Sequence, residues 1–154
     1  MIFRKATFKD VEAIYSLVMN YADDGVMLAR SRNKLYETLR DMVVAVDDDG
    51  RVVGVGGLHM IWDSLAEIRT MAVAPDMTRH GIGAKIVKLL IEEGNKLGVK
   101  KYFTLTYKPG FFQTLGFRNI TKEQLPHKIW KECIDCPKFP NCDEIAMEKE
   151  ADSK

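Results

Sequence analysis

The sequence predicts a mixed α/β domain, in which helices flank a central, mostly antiparallel sheet that contains one parallel pair of strands. Three β-rich apolar runs over 42–46, 52–62 and 65–73 follow one another across short turns and predict antiparallel strands. An amphipathic helix that begins at Ile82 then leads to a further β-rich run over 102–107. Because strand, helix and strand form a right-handed crossover, the third and fourth runs can lie parallel.

Capping signals predict where the helices begin and end. Thr7 and Asp10 have the spacing of a capping box, so a helix is expected over about 9–20. Ser31 is placed to cap a second helix, and Gly98 to end the long amphipathic one. The remaining predicted elements are a strand over 2–6, a short helix over 111–115, a strand over 117–120 and a helix over 126–134.

Length and composition indicate one domain. A chain of 154 residues with 46% hydrophobic and 29% charged residues can bury one sizeable core without disulfides. The polar residues 148–154 are expected to fray, so we assign 1–150 to a single domain and 151–154 to a tail.

Charge and hydropathy indicate the class of partner. A formal net charge of +1 provides no global field that would attract nucleic acid or an anionic membrane. Charged residues interrupt the longest apolar stretches, and no apolar segment follows the charges of 1–5 as in a signal peptide. We therefore expect a cytoplasmic protein that acts on a small molecule. The sequence does not decide between a monomer and a homodimer.

The cysteines are confined to one short segment near the end of the chain. Cys133, Cys136 and Cys142 are odd in number and form a poor disulfide framework. A zinc site would need a fourth ligand, for which His127 or Asp143 is available. Reduced, packed thiols are the simpler interpretation, so we predict no metal site.

A glycine-containing loop at the start of the long helix predicts a phosphate site, although this spacing also occurs in plain turns. The first helical N–H groups and the positive end of the helix dipole point at one place there. Gly81 and Gly83 lack a Cβ and allow close approach of an anion, while Arg79 and His80 add donors. The dinucleotide-binding and Walker motifs are both excluded, because their further glycine or lysine is missing.

The segments 67–75, 79–83 and 111–117 together resemble the GNAT superfamily of acetyl-CoA-dependent N-acetyltransferases. The resemblance implies the GNAT fold, in which two parallel strands splay apart to admit the pantetheine arm of the coenzyme. Thr78 departs from the family pattern, because a glutamine or arginine is usual at its position. The implied coenzyme-binding residues are Met71, Ala72, Val73, Arg79, His80, Gly81, Ile82, Gly83, Ala84 and Phe112.

The segments 28–35, 105–112 and 129–138 are similar to the short N-acetylglutamate synthases. This likeness implies acetyl transfer to the α-amino group of glutamate or glutamine, the first step of arginine biosynthesis. A carboxylate-bearing acceptor needs guanidinium or ammonium partners. The candidate acceptor-binding residues are Arg30, which the resemblance places at the acceptor, Arg69 and Lys128.

These cationic residues also have simpler interpretations. Arg30 could belong to a solvated helix start. Arg69 shares strand parity with Glu67, Met71 and Val73, so it could simply pair with Glu67 across one face of the sheet.

Two residues are candidates for catalysis, of which the resemblance implies the first. Glu67 occupies the position of the glutamate that often removes the acceptor's proton, and an ion pair with Arg69 is the alternative interpretation. Backbone N–H groups near Met71 would stabilise the tetrahedral oxyanion. The family's usual acid, a tyrosine, is replaced by Phe112, so this role is either vacant or has moved to another residue. Tyr107 is the nearest phenol, and a core tyrosine with a satisfied hydroxyl is its alternative interpretation.

Two other functions remain open at this point. The first is acetylation of a different small amine or of a protein N-terminus. The second is a non-catalytic module that binds acyl-CoA, for which the departures at Thr78 and Phe112 argue.

Overall fold

The computed structural model describes residues 1–23, 31–121, 124 and 145–151. Its centre is a seven-stranded sheet of order β1-β2-β3-β4-β5-β7-β6, in which only β4 and β5 pair in parallel. This confirms the predicted mixed α/β class. The strands are β1 (Ile2–Lys5), β2 (Met42–Val46), β3 (Val52–Trp62), β4 (Leu65–Val73), β5 (Lys101–Thr106), β6 (Arg118–Asn119) and β7 (Ile145–Glu150).

Among the described residues, helices lie between β1 and β2, between β4 and β5, and between β5 and β6, and the first two of these connections also contain 3₁₀ turns. The helices are α1 (Val11–Asp23), α2 (Arg32–Glu37), α3 (Ile82–Leu97) and α4 (Pro109–Thr114), and the 3₁₀ turns are Phe8–Asp10, Leu39–Asp41 and Pro75–Met77. The bounds predicted for β2, β3, β4 and α3 match the structure, and those of α1, α4, β1, β5 and β6 differ by a few residues.

The predicted caps are present. The carboxylate of Asp10 accepts a hydrogen bond of 2.7 Å from the backbone N–H of Thr7. Ser31 Oγ accepts a hydrogen bond of 3.1 Å from the N–H of Lys34 at the start of α2. Gly98 ends α3 at a φ of 93°, in the left-handed region that glycine adopts without strain.

Helix α3 packs closely on one face of the sheet because β3 carries glycines there. A Cβ at Gly54 would lie 2.9 Å from Ile82 Cγ2, and one at Gly56 would lie 2.6 Å from Ile86 Cγ2. Such contacts are shorter than side chains tolerate, so the missing Cβ atoms set the helix–sheet distance. Buried apolar residues of α1, α3 and β2–β4 form one continuous hydrophobic core.

The C-terminal strand corrects the sequence analysis. Residues 148–150 were expected to fray, but they belong to β7, which lies between β5 and β6. Glu148 is buried and forms ion pairs with Arg118 and Lys101, so its charge is compatible with an interior strand. The N–H of Ala151 donates to the carbonyl of Lys100, which extends the ordered backbone by one residue.

Several predicted features lie outside the described residues. They are the helix over 126–134, the tail beyond Ala151, and the side chains of Cys133, Cys136, Cys142, Arg30 and Lys128. Among the residues that are described, no helix combines the length and the apolar character needed to cross a membrane. The same part of the chain contains no cluster of three or more metal-ligating side chains.

Acid should weaken the attachment of α1. The Arg4 guanidinium, 2.7 Å from Asp10 Oδ2, is the main reason why the pKa of Asp10 lies below its usual value. A carboxylate whose pKa is lowered by folding stabilises the protein above its unfolded pKa of about 3.9, and that stability is lost as the pH falls through the folded value. We therefore expect Asp10→Ala to lower the free energy of unfolding by about 1–2 kcal/mol at pH 7.

Urea unfolding at pH 7 and at pH 3 would measure this difference, with Asp49→Ala in an exposed turn as the control. An Asp10→Ala deficit that is as large at pH 3 as at pH 7 would contradict the account.

Candidate active site

The sheet opens between β4 and β5. The two strands pair in parallel at three positions, and the last of these joins Glu67 to Phe103. Strand β4 continues to Val73, whereas no described strand pairs with this edge of β4 after Glu67. A strand edge without a neighbouring strand leaves backbone N–H and C=O groups that can bind an extended ligand. The predicted splayed pair is thus present.

A β-bulge lies inside the opening. Thr70 has a φ of 61°, which is rare for a β-branched residue, and the register between β3 and β4 shifts by one residue beside it. The strain of order 1–3 kcal/mol that such a conformation costs is typical of functional sites.

The bulge also corrects the predicted strand parity. Arg69 pairs with Gly57 on one face, whereas Met71 faces Gly56 and α3 on the other. Arg69 therefore shares a face with Glu67 but not with Met71 or Val73. The alternation that the sequence suggested breaks because Thr70 is the extra residue.

The loop before α3 has the geometry of an anion site. Arg79 and Gly81 have left-handed φ angles of 67° and 76°, and His80 between them does not. Alternation of this kind turns successive N–H groups toward one point. No side chain caps α3, so the amides of Ile82, Gly83 and Ala84 are available to a ligand at the positive end of the helix dipole.

The loop is continuous with the opening in the sheet. A Cβ at Gly83 would lie 3.1 Å from Phe111 Cζ and 3.7 Å from Val73 Cγ2, so the helix start touches the end of β4. Phe112, one of the predicted coenzyme-binding residues, is 3% exposed and packs edge-on against Phe111 and Phe117. The ring of Phe111 thus lies against Gly83 at the start of α3.

Two contacts hold the far end of this opening. The hydroxyl of Tyr21 on α1 donates a hydrogen bond to the carbonyl of Val73, and burial raises the pKa of Tyr21, so the hydroxyl stays protonated at neutral pH. Arg51 and Asp76 form a bidentate ion pair with both distances at 2.9 Å. This pair ties the turn before the loop to the start of β3.

Glu67 and Arg69 lie on the face of β4 opposite α3. Glu67 is 6% exposed, and its Oε1 is 3.6 Å from Nη1 of Arg69, whose side chain is 9% exposed. This distance exceeds that of a direct hydrogen bond, and a planar guanidinium can pair with more than one carboxylate. A buried carboxylate and a buried guanidinium therefore stand together at the inner end of the opening.

A histidine flanks this pair from the neighbouring strand. His59 on β3 is the cross-strand partner of Glu67. Its Nδ1 lies 2.8 Å from Oδ2 of Asp41, and both side chains are 29% exposed. The sequence alone does not reveal this pairing, since it holds no signal for a contact between positions 18 residues apart.

The structure brings together most predicted site residues that it describes. Met71, Ala72 and Val73 belong to the part of β4 that has no described strand on its β5 side, and the start of α3 at Gly83 touches Val73. Tyr107 follows directly after β5 and is half-buried, so its role stays a prediction. The sequence analysis missed Thr70, Phe111, Tyr21 and the His59–Asp41 pair. Only the glycines of β3 signalled unusual backbone geometry at this point.

Comparison with known proteins identifies the family. A model of the acetyltransferase (GNAT) family matches residues 11–117, well over half of the chain. The chain belongs to this family. The GNAT membership confirms the resemblance inferred from the sequence, the fold class and the enzyme class, an N-acetyltransferase.

Two relatives are named as acetyltransferases. An uncharacterized N-acetyltransferase of Chlorobaculum tepidum is 40% identical over 146 residues, which cover 95% of this chain and 94% of that protein. An amino-acid acetyltransferase of Mycobacterium tuberculosis is 39% identical over 133 residues, which cover 85% of this chain and 76% of the relative.

A solved structure has the same GNAT fold. It is the crystal structure of a Mycobacterium tuberculosis protein in complex with CoA and the ligand NLQ, with 33% identity and a TM-score of 0.84. The match covers 97% of this chain and 99% of that one.

Proposed function

We propose that this GNAT enzyme transfers acetyl from acetyl-CoA to the α-amino group of glutamate or glutamine. The observation that carries the proposal is the buried Glu67–Arg69 pair at the inner end of the β4–β5 opening. It offers a base for an ammonium group and a cation for a carboxylate, the two groups that distinguish an amino acid. The 39% identity to an amino-acid acetyltransferase supports the same assignment.

The donor side uses backbone groups. Acetyl-CoA is the acyl donor of the GNAT family, and the Mycobacterium tuberculosis structure contains CoA. The pyrophosphate would rest on the amides of the loop over 79–84, and the pantetheine arm would run along Met71, Ala72 and Val73. Because backbone amides and a helix dipole supply this attraction, Thr78 in place of the usual polar residue does not prevent it.

The acceptor side needs positive charge. Arg69 would bind the acceptor's carboxylate in the position where it now faces Glu67, and the planar guanidinium favours two parallel hydrogen bonds. Arg30 and Lys128 would complete the acceptor site, as the resemblance to short N-acetylglutamate synthases implies.

Glu67 would act as the base. The acceptor's ammonium must lose a proton before its nitrogen can attack the thioester carbonyl. Once the carboxylate of the acceptor occupies Arg69, the ion pair of Glu67 is relaxed, and Glu67 can accept that proton. A buried carboxylate of this kind matches the base expected in an active site.

The intermediate then collapses. Attack converts the thioester carbonyl into a tetrahedral oxyanion, which the backbone N–H groups near Met71 would stabilise next to the Thr70 bulge. Breaking of the C–S bond releases the coenzyme thiolate, and Tyr107 would donate the proton it needs. Phe112 has no hydroxyl and is buried among aromatic rings, so it would support the wall of the site.

The wider assignments rest on the same reasoning. We propose that 1–150 acts as one domain, and that the enzyme works in the cytoplasm at the first step of arginine biosynthesis. Whether it forms a homodimer is a separate question that a measurement of its mass in solution would answer.

An assay of thiol release from acetyl-CoA over an acceptor panel tests the function. Turnover of glutamate or glutamine is expected. Turnover of other amines or of a peptide N-terminus alone would show that the acceptor is not an amino acid of this kind. No turnover with any acceptor would contradict the enzyme assignment.

Gly81 at the start of α3 should be needed for tight binding of coenzyme A. Gly81→Ala introduces strain at a φ of 76° and a Cβ where the anion approaches, so we expect the Kd for coenzyme A to rise about tenfold or more. Isothermal titration calorimetry would measure the change.

Gly98→Ala is the matched control. Gly98 has a φ of 93°, an open Cβ direction and a place at the other end of the same helix. Both variants should lose similar stability, and equal Kd values would overturn the role of the loop.

Substitutions of Glu67 and of Arg69 should change different kinetic constants. Glu67→Gln removes the base and is expected to lower kcat by about 10²–10⁴-fold. Arg69→Gln removes the carboxylate partner and is expected to act chiefly on the acceptor KM. Steady-state kinetics would measure both.

Glu92→Gln and Lys88→Gln, on the exposed face of α3, serve as controls for the loss of charge. Full kcat in Glu67→Gln would show that another group is the base.

A further inference from the structure

The proposed reaction releases one proton for each acetyl group transferred. An ammonium acceptor loses two protons as it becomes an amide, and the leaving thiolate takes up one of them. The balance is R–NH₃⁺ + acetyl–S–CoA → R–NH–acetyl + HS–CoA + H⁺. A base that receives the remaining proton must pass it to solvent before the next turnover. Glu67 is 6% exposed, so its own access to water is slight.

The neighbour of Glu67 has better access to solvent. His59 is the direct cross-strand partner of Glu67, and such partners have Cβ atoms about 4.5–5.5 Å apart on the same face. The imidazole is 29% exposed, compared with 6% for Glu67. On the other side, the parallel partner of Glu67 is the buried Phe103, which offers no proton acceptor. His59 is thus the more exposed member of this cross-strand pair and gives the buried carboxylate a titratable neighbour that reaches solvent.

The pairing with Asp41 gives His59 the form that a proton carrier needs. An ionised carboxylate can only accept hydrogen bonds, so the 2.8 Å contact places the ring proton on Nδ1. The other nitrogen, Nε2, then carries the lone pair that can take up a proton. When it does, the carboxylate of Asp41 stabilises the resulting imidazolium. Among the described residues, the charged side chains placed beside His59 are Asp41 from the turn before β2, and Glu67 and Arg69 from β4.

We propose that His59, oriented by Asp41, is a proton-relay residue that carries the proton from Glu67 to solvent. The proposal rests on the proposed function. The acceptor's ammonium gives a proton to the Glu67 carboxylate, Glu67 gives it to His59 Nε2, and the imidazolium releases it to water through the exposed edge of the ring. No other co-reactant is needed. Asp41 is a positioning residue, since it acts through the imidazole.

Kinetics of the full-length variants test the relay. His59→Ala should lower kcat at least about tenfold, with an acetyl-CoA KM close to that of the parent. Imidazole in the buffer should restore part of the lost kcat, because it can fill the space and carry the proton. Asp41→Asn should lower kcat as well. The controls are Met60→Gln, next to His59 on the other face of β3, and Asp63→Asn in an exposed turn, and neither should respond to imidazole.

A double-mutant cycle tests whether His59 and Glu67 act on the same proton. If the proton passes through Glu67, then His59→Ala should change kcat little further in a Glu67→Gln background. Thermal unfolding of each variant checks folding, and His59→Gln is a second, less disruptive replacement.

Each other outcome overturns the proposal. A kcat within twofold of the parent in His59→Ala, with Glu67→Gln impaired, would remove the relay and leave Glu67 as the base. Independent, additive losses, or a loss that imidazole does not restore, would give His59 a different role. Absence of turnover in the parent enzyme with every acceptor would remove the proposed function and the relay with it.

Discussion

The unequal pairing of β4 is the constraint on which the rest of the site depends. The strand pairs with β3 along nearly its whole length but with β5 at three positions only. Backbone groups inside a protein must be hydrogen-bonded, so a strand edge that parts from its neighbour has to find other partners. Side chains supply two of them, since Thr104 Oγ1 donates to the carbonyl of Ile68 and Tyr21 donates to that of Val73. The stretch between these two carbonyls is the one we assign to the pantetheine arm.

The other parts of the site take their positions from this opening. The Thr70 bulge lies within it, the loop over 79–84 begins shortly after β4 ends, and Glu67 marks the last parallel pair. Because the bulge reverses the alternation of side chains, Met71 turns to α3 while Arg69 stays beside Glu67. One extra residue in β4 therefore separates the side chains proposed to line the donor site from those proposed to bind the acceptor.

The sequence predicts the parts of the fold that local signals determine. Strands β2 to β4 and helix α3 follow from apolar periodicity, short turns and the terminating Gly98, and their bounds agree with the structure. Strand β7 was missed because Glu148, Lys149 and Glu150 read as a solvated end. The charge of Glu148 is compensated by Arg118 and Lys101, which lie far away in the sequence, so no local pattern reports that it is buried.

The site is predictable where it depends on backbone and less so where it depends on long-range pairs. The loop over 79–84 was found from its glycines and its place before a helix. The bulge at Thr70 was not, because a threonine gives no local signal for a positive φ. The contact of His59 with Asp41 depends on the 3₁₀ turn before β2, a tertiary arrangement that periodicity does not encode.

Amide hydrogen exchange with and without acetyl-CoA tests the central claim most directly. The account predicts that acetyl-CoA slows exchange of amides in two segments, 71–73 at the end of β4 and 79–84 in the loop, because both would donate to the coenzyme. Slower exchange in other segments with no change in these two, or no change anywhere at a saturating concentration, would contradict it.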